Sequence, residues 1–176
     1  MITNKYNPID NNEIERAVKF MVASFAKHKK AGKPVVVHSL RVAFYLDFLG
    51  YPKEIVIAAL LHDILEDSEV TLEELKKRFG GKVAKVVEVN SLDLSLPKNA
   101  GRYKKAYSLA KENGLDALLI RGADLLDNSK YYYLVKSKDL KKLLLWKYDY
   151  FLKISEELIG NTQVFKDFKT YRQNLV

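Results

Sequence analysis

Apolar residues recur along most of the chain at three- and four-residue spacing, the repeat of one face of a helix. The first such segment carries Ile14, Val18, Met21, Val22 and Phe25, with Asp10 or Asn11 placed to cap it and Ala31-Gly32-Lys33-Pro34 to end it. A second runs from about Val36 to Leu49 and stops at Gly50. Pro52 suits the first turn of a third, covering about Lys53 to Glu66. Thr71-Leu72-Glu73-Glu74 is a capping-box sequence that opens a fourth, closed by Gly80-Gly81, and a fifth covers about Lys82 to Ser91. After a loop from Asp93 to Gly101 the pattern predicts helices at about Arg102 to Asn113, Asp116 to Val135, Lys138 to Ile159 and Val164 to Asn174. Pieces such as Pro34-Val35-Val36-Val37 read as short extended segments, but no alternation builds a sheet. The expectation is an all-α fold, one compact domain of roughly eight to nine helices over residues 1–176.

Composition narrows the chemistry. The 176 residues, 48% of them hydrophobic, suffice for a sizeable core. No apolar run is long enough to span a bilayer, and residues 1–11 lack the apolar centre of a signal peptide, so a cytoplasmic location is expected. The absence of cysteine excludes disulfides, thiolate catalysis and sulfur-built zinc sites. A net charge of +8, spread along the chain, suits an anionic partner: an acidic small molecule, a nucleic acid or an anionic surface.

One stretch breaks the amphipathic pattern. Residues 58–69 read AALLHDILEDSE, with His62 and Asp63 closing an apolar run and Glu66 and Asp67 one turn on. Residues four apart share a helix face, which pairs His62 with Glu66 and Asp63 with Asp67. A carboxylate drawn into a core is costly unless a cation or hydrogen bonds compensate. Two further ionisable residues sit in comparable settings: His38 after Val35-Val36-Val37, and Asp124 within Ala117-Leu118-Leu119-Ile120-Arg121-Gly122-Ala123-Asp124. Taken singly, His38 reads as a core histidine and Asp124 as the partner of Arg121 in a buried ion pair. Taken together, His38, His62, Asp63 and Asp124 offer two imidazoles and two carboxylates to one divalent metal, a set suited to Mn2+ or Fe2+ more than calcium, with Zn2+ still open.

The order H…HD…D resembles that of the HD-domain metal-dependent phosphohydrolases. AALLHDILEDSEVTLEELKKRFG is similar to the hydrolase domain of the RelA/SpoT alarmone enzymes, KKAGKPVVVHSLRVA to their RKSGEPYIVHPLEVA region, and GADLLDN to their LADRLHN. LDLSLPKNAGRYKK and LIGNTQVF resemble segments of the stand-alone small alarmone hydrolases, so the likeness covers about residues 10 to 175. The resemblance implies one Mn2+ on His38, His62, Asp63 and Asp124, an acidic pair Glu66 and Asp67 that handles the attacking water, and Asn128 against the nucleotide sugar. The implied reaction removes pyrophosphate from the 3′ position of guanosine tetra- or pentaphosphate. Lys30, Lys98 and Arg102 are candidates for holding the remaining phosphates by charge-assisted hydrogen bonds.

The chain departs from the family pattern where the base and sugar should lie. Lys29 stands in place of an arginine that stacks on guanine, Ala31 in place of a serine, and Tyr131 in place of a threonine. Tyr131, Tyr132 or Tyr133 would offer another stacking surface, although tyrosines at helical spacing commonly pack in cores. Phosphate-ester hydrolysis is therefore better supported than guanine specificity, and another nucleotide or a nicotinamide dinucleotide phosphate is the neighbouring alternative. A non-catalytic basic helical binding protein is the alternative from another class, and it leaves the His/Asp set unexplained. His28 and the run Lys136, Lys138, Lys141 and Lys142 read as surface, and Leu143, Trp146 and Tyr150 as core. A nucleic-acid or membrane partner is not expected, and the partner is a small phosphorylated nucleotide.

Overall fold

The computed structural model describes residues 8–26, 34–173 and 175. Lys29 and Lys30, with His28 and Ala31, lie outside them. The described residues are helical, without strands, and divide into two compact units, Met1–Ser91 and Leu92–Val176. No described helix is long and apolar enough to cross a membrane.

The first unit contains α1 (Pro8–Ala26), α2 (Val35–Phe48), α3 (Lys53–Leu61), α4 (Ile64–Asp67) and α5 (Leu72–Asn90). Helix α3 has no polar face after Glu54, and every residue from Ile55 to Leu61 is buried. An all-round apolar helix must be enclosed, and α1, α2 and α5 all pack on α3. Helix α2 turns His38, Ser39, Val42, Ala43 and Leu46 inward at helical spacing. Thr71 caps α5 by accepting a hydrogen bond from the Glu74 amide at 3.2 Å.

The second unit repeats the design with α6 (Ala100–Glu112), α7 (Leu115–Ser129), a 3₁₀ turn (Tyr132–Leu134), α8 (Lys138–Ile159) and α9 (Gln163–Gln173). Here α7 is central, buried from Ala117 to Asp127 and packed on α6, α8 and α9. Tyr148 and Phe168 stack with centroids 3.6 Å apart, and the Tyr148 hydroxyl donates to the Phe168 carbonyl at 2.9 Å. Gly122 admits this layer: a Cβ there would lie 3.0 Å from Val164 Cγ1 and 3.3 Å from Phe151 Cε1.

Several sequence expectations need correcting. Helix α1 begins at Pro8, ahead of the proposed caps Asp10 and Asn11. Val35-Val36-Val37 is the first turn of α2, since the amide of His38 already bonds to the Pro34 carbonyl at 3.0 Å. The helix expected over 53–66 is broken at His62-Asp63. The helix expected over 116–135 ends at Ser129, because Tyr132 turns into the core while Tyr131 and Tyr133 face solvent. Trp146 and Tyr150 stack at 5.1 Å but are half-buried rather than core.

The break expected at Gly80-Gly81 is present as a kink inside α5. Gly80 has φ 85° and ψ 162°, a region essentially closed to residues bearing a Cβ. Gly80→Ala is therefore expected to destabilise the protein by about 1–3 kcal/mol, read as a lower urea midpoint at unchanged slope. An unchanged midpoint would mean that α5 can run straight.

Candidate metal centre

The break between α3 and α4 has a local cause. His62 Nδ1 lies 2.7 Å from the Ala59 carbonyl, the acceptor that the Asp63 amide would use if α3 continued. A carbonyl can only accept, so Nδ1 carries the proton. Asp63 then sits at φ −93°, ψ −1°, and its carbonyl takes the amides of Glu66 (3.1 Å) and Asp67 (2.9 Å) to start α4. Ser68 ends α4, its hydroxyl donating to the Ile64 carbonyl at 2.6 Å. Across this break Asp63 and Asp67 keep a helical backbone bond.

Within the first unit, three expected ligands converge. His38 from α2 and His62 place their Nε2 atoms 3.2 Å apart, both side chains 98% buried or more. Asp63 reaches both, with Oδ1 3.2 Å from His62 Nε2 and Oδ2 3.8 Å from His38 Nε2. It is anchored between buried His62 and buried Ile64. When Nδ1 holds the only ring proton, Nε2 has a lone pair on the side of this carboxylate, able to meet a positive centre. Imidazole nitrogens with a carboxylate form the donor set of a divalent transition metal, and an imidazole held by a carbonyl through its other nitrogen is the usual supporting arrangement. The residues fit the ion.

The second unit prepares Asp124 separately. Its carboxylate is buried on α7 and accepts from Arg121 Nη1 at 3.3 Å through one oxygen and from Asn128 Nδ2 at 2.5 Å through the other. Burial raises the Tyr107 and Tyr132 hydroxyls well above the ordinary phenol range, so both remain neutral. Arg102 is half-buried, donates Nη2 to the Leu94 carbonyl at 3.3 Å, and keeps Nε buried without an acceptor among the described residues. Lys98 is exposed, and Glu66, Asp67 and Asn128 are half-buried.

The HD domain matches residues 17–112, more than half of the chain. The chain belongs to the HD-domain family. A guanosine-3′,5′-bis(diphosphate) 3′-pyrophosphohydrolase of Aquifex aeolicus is 39% identical over 140 residues, covering 77% of this chain and 20% of the relative. The enzyme of the same name, MESH1, of Danio rerio is 39% identical over 105 residues, 58% of each protein. The chain thus spans a fifth and somewhat more than half of these relatives. A solved metazoan ortholog of SpoT shares the fold, with a TM-score of 0.78 at 22% identity over 92% of this chain and 95% of the other.

Within this HD-domain chain, sequence reading located His38, His62 and Asp63 but missed the carbonyl that fixes His62, since no periodicity reports a ring nitrogen bonding its own helix. The orphaned Arg102 Nε was equally invisible. Long-range 1H–15N spectra of the Zn2+-loaded protein should show the His62 side chain protonated at Nδ1 and bare at Nε2. An Nε2–H tautomer would contradict the metal assignment.

Proposed function

We propose that this HD-domain protein is a metal-dependent phosphohydrolase of a phosphorylated nucleotide, with guanosine tetra- or pentaphosphate the leading substrate and its 3′-pyrophosphate the group removed. The observation that carries the reading is the convergence of His38, His62 and Asp63 in a buried position with the His62 tautomer already set. Asp124 is the fourth ligand in this reading, supported by the order H…HD…D and by its burial on α7. The two relatives described above carry the name of that reaction.

The ion proposed is Mn2+, in keeping with the mixed nitrogen and oxygen donors. When bound, such an ion makes water more acidic and neutralises phosphoryl charge. Glu66, one turn beyond Asp63, accepts the proton of the attacking water and returns it to the departing 3′ oxygen, while Asp67 orients that water. The water oxygen ends on the released pyrophosphate, and the bond between phosphorus and the 3′ oxygen breaks. Arg102, with its unsatisfied Nε, and exposed Lys98 hold phosphate oxygens. Lys30, outside the described residues, completes the proposed anion-binding set, Lys29, also outside them, is assigned to the base, and Asn128 uses its remaining amide atoms on the sugar. A small dissolved nucleotide as substrate goes with a cytoplasmic location.

The test is a panel of nucleotides with added Mn2+. Release of pyrophosphate from guanosine tetraphosphate, lost in His62→Ala and Asp63→Asn, is expected. Glu66→Ala should keep its Mn2+ and lose roughly 10²–10⁴-fold in kcat. Loss of the ion in Glu66→Ala would overturn its assigned role, and turnover of a nicotinamide dinucleotide phosphate alone would move the substrate. Lys29→Arg, which restores a flat stacking group, should lower KM for guanosine tetraphosphate. An unchanged KM would show that the base binds elsewhere.

A further inference from the structure

Asp124 is held more firmly than a lone ligand on a helix needs to be. One oxygen accepts from Arg121 three residues before it and the other from Asn128 four residues after it. Both donors belong to α7, so this grip comes from the helix that carries the carboxylate. Arg121 is itself 5% exposed, and its guanidinium lies 5.6 Å from the Tyr107 ring centroid. That ring is fixed in turn by an edge contact to Phe151 at 5.8 Å and by stacking on Tyr150 at 6.3 Å.

We infer that Arg121 and Asn128 are positioning residues that hold the Asp124 carboxylate ready for the metal. This rests on Asp124 being a ligand, as proposed above. A carboxylate oxygen has two acceptor sites. An oxygen that takes a donor through one site can meet a cation through its other, so a clamp and an ion need not compete for the same electrons. Arg121 also supplies the positive charge that a buried aspartate requires before any ion arrives. The guanidinium suits this task because its planar fork is rigid and always charged. The buried ion pair and the ligand role are thus two uses of one carboxylate.

Mn2+ binding measured by titration calorimetry, with far-ultraviolet dichroism and melting midpoints recorded on the same samples, tests the clamp. Arg121→Met and Asn128→Ala should each remain helical and bind Mn2+ about 10–100-fold more weakly, the usual consequence of removing a group that supports a ligand. Arg121→Lys should recover part of the loss, which a purely structural defect would not. Wild-type affinity in folded Arg121→Met, with Asp124→Asn weakened, overturns the clamp alone. If Arg121→Met fails to fold, Asn128→Ala decides, and wild-type affinity there overturns the proposal. Wild-type affinity in Asp124→Asn, with His62→Ala unable to bind, overturns the clamp together with the assignment of Asp124 as a ligand.

Discussion

The structure depends on how charge is tolerated on helices that have no exposed face. Each unit is organised round one helix buried along its length, α3 in the first and α7 in the second. Such a helix is stabilised by removing apolar surface from water, and a carboxylate placed on or beside it gives up hydration that nothing apolar replaces. The two units answer this in different ways. In the first, Asp63 follows the end of α3 and faces two imidazoles. In the second, Asp124 stays inside α7 and is compensated by an arginine and an amide of the same helix.

That difference orders the chemistry. The His38, His62 and Asp63 group brings two imidazole Nε2 atoms and a carboxylate to one buried point. The Asp124 carboxylate has a positive partner, Arg121, on its own helix. The acidic residues Glu66 and Asp67 follow directly from the same break, because the Asp63 carbonyl that starts α4 accepts both their amides. Placement of the proposed proton carrier is therefore coupled to the bond between the His62 ring and the Ala59 carbonyl.

Much of this was legible in the chain. The all-α character, the kink at Gly80 and the boundaries of α8 followed from periodicity and caps, which are local. His38, His62 and Asp63 stood out because ionisable residues in apolar runs require an explanation. The break at His62-Asp63 was hidden because both residues tolerate a helix. What ends α3 is a ring nitrogen taking a backbone carbonyl, a competition that hydrophobic spacing does not encode. The end of α7 was hidden for a related reason. Tyr131, Tyr132 and Tyr133 continue a helical spacing, but only Tyr132 can enter the core from a 3₁₀ turn. For Asp124 the sequence offered an ion pair or a metal ligand as rival readings, and the ion pair with Arg121 is present.

The central claim is that His38, His62, Asp63 and Asp124 share one divalent ion. Crystals grown with Mn2+ and measured for anomalous scattering test it most directly. The account predicts one strong peak bonded to both imidazole Nε2 atoms and to both aspartates, at first-row metal distances of about 2.0–2.2 Å. A peak elsewhere, or two imidazoles hydrogen-bonded to each other with no scatterer between them, would contradict it.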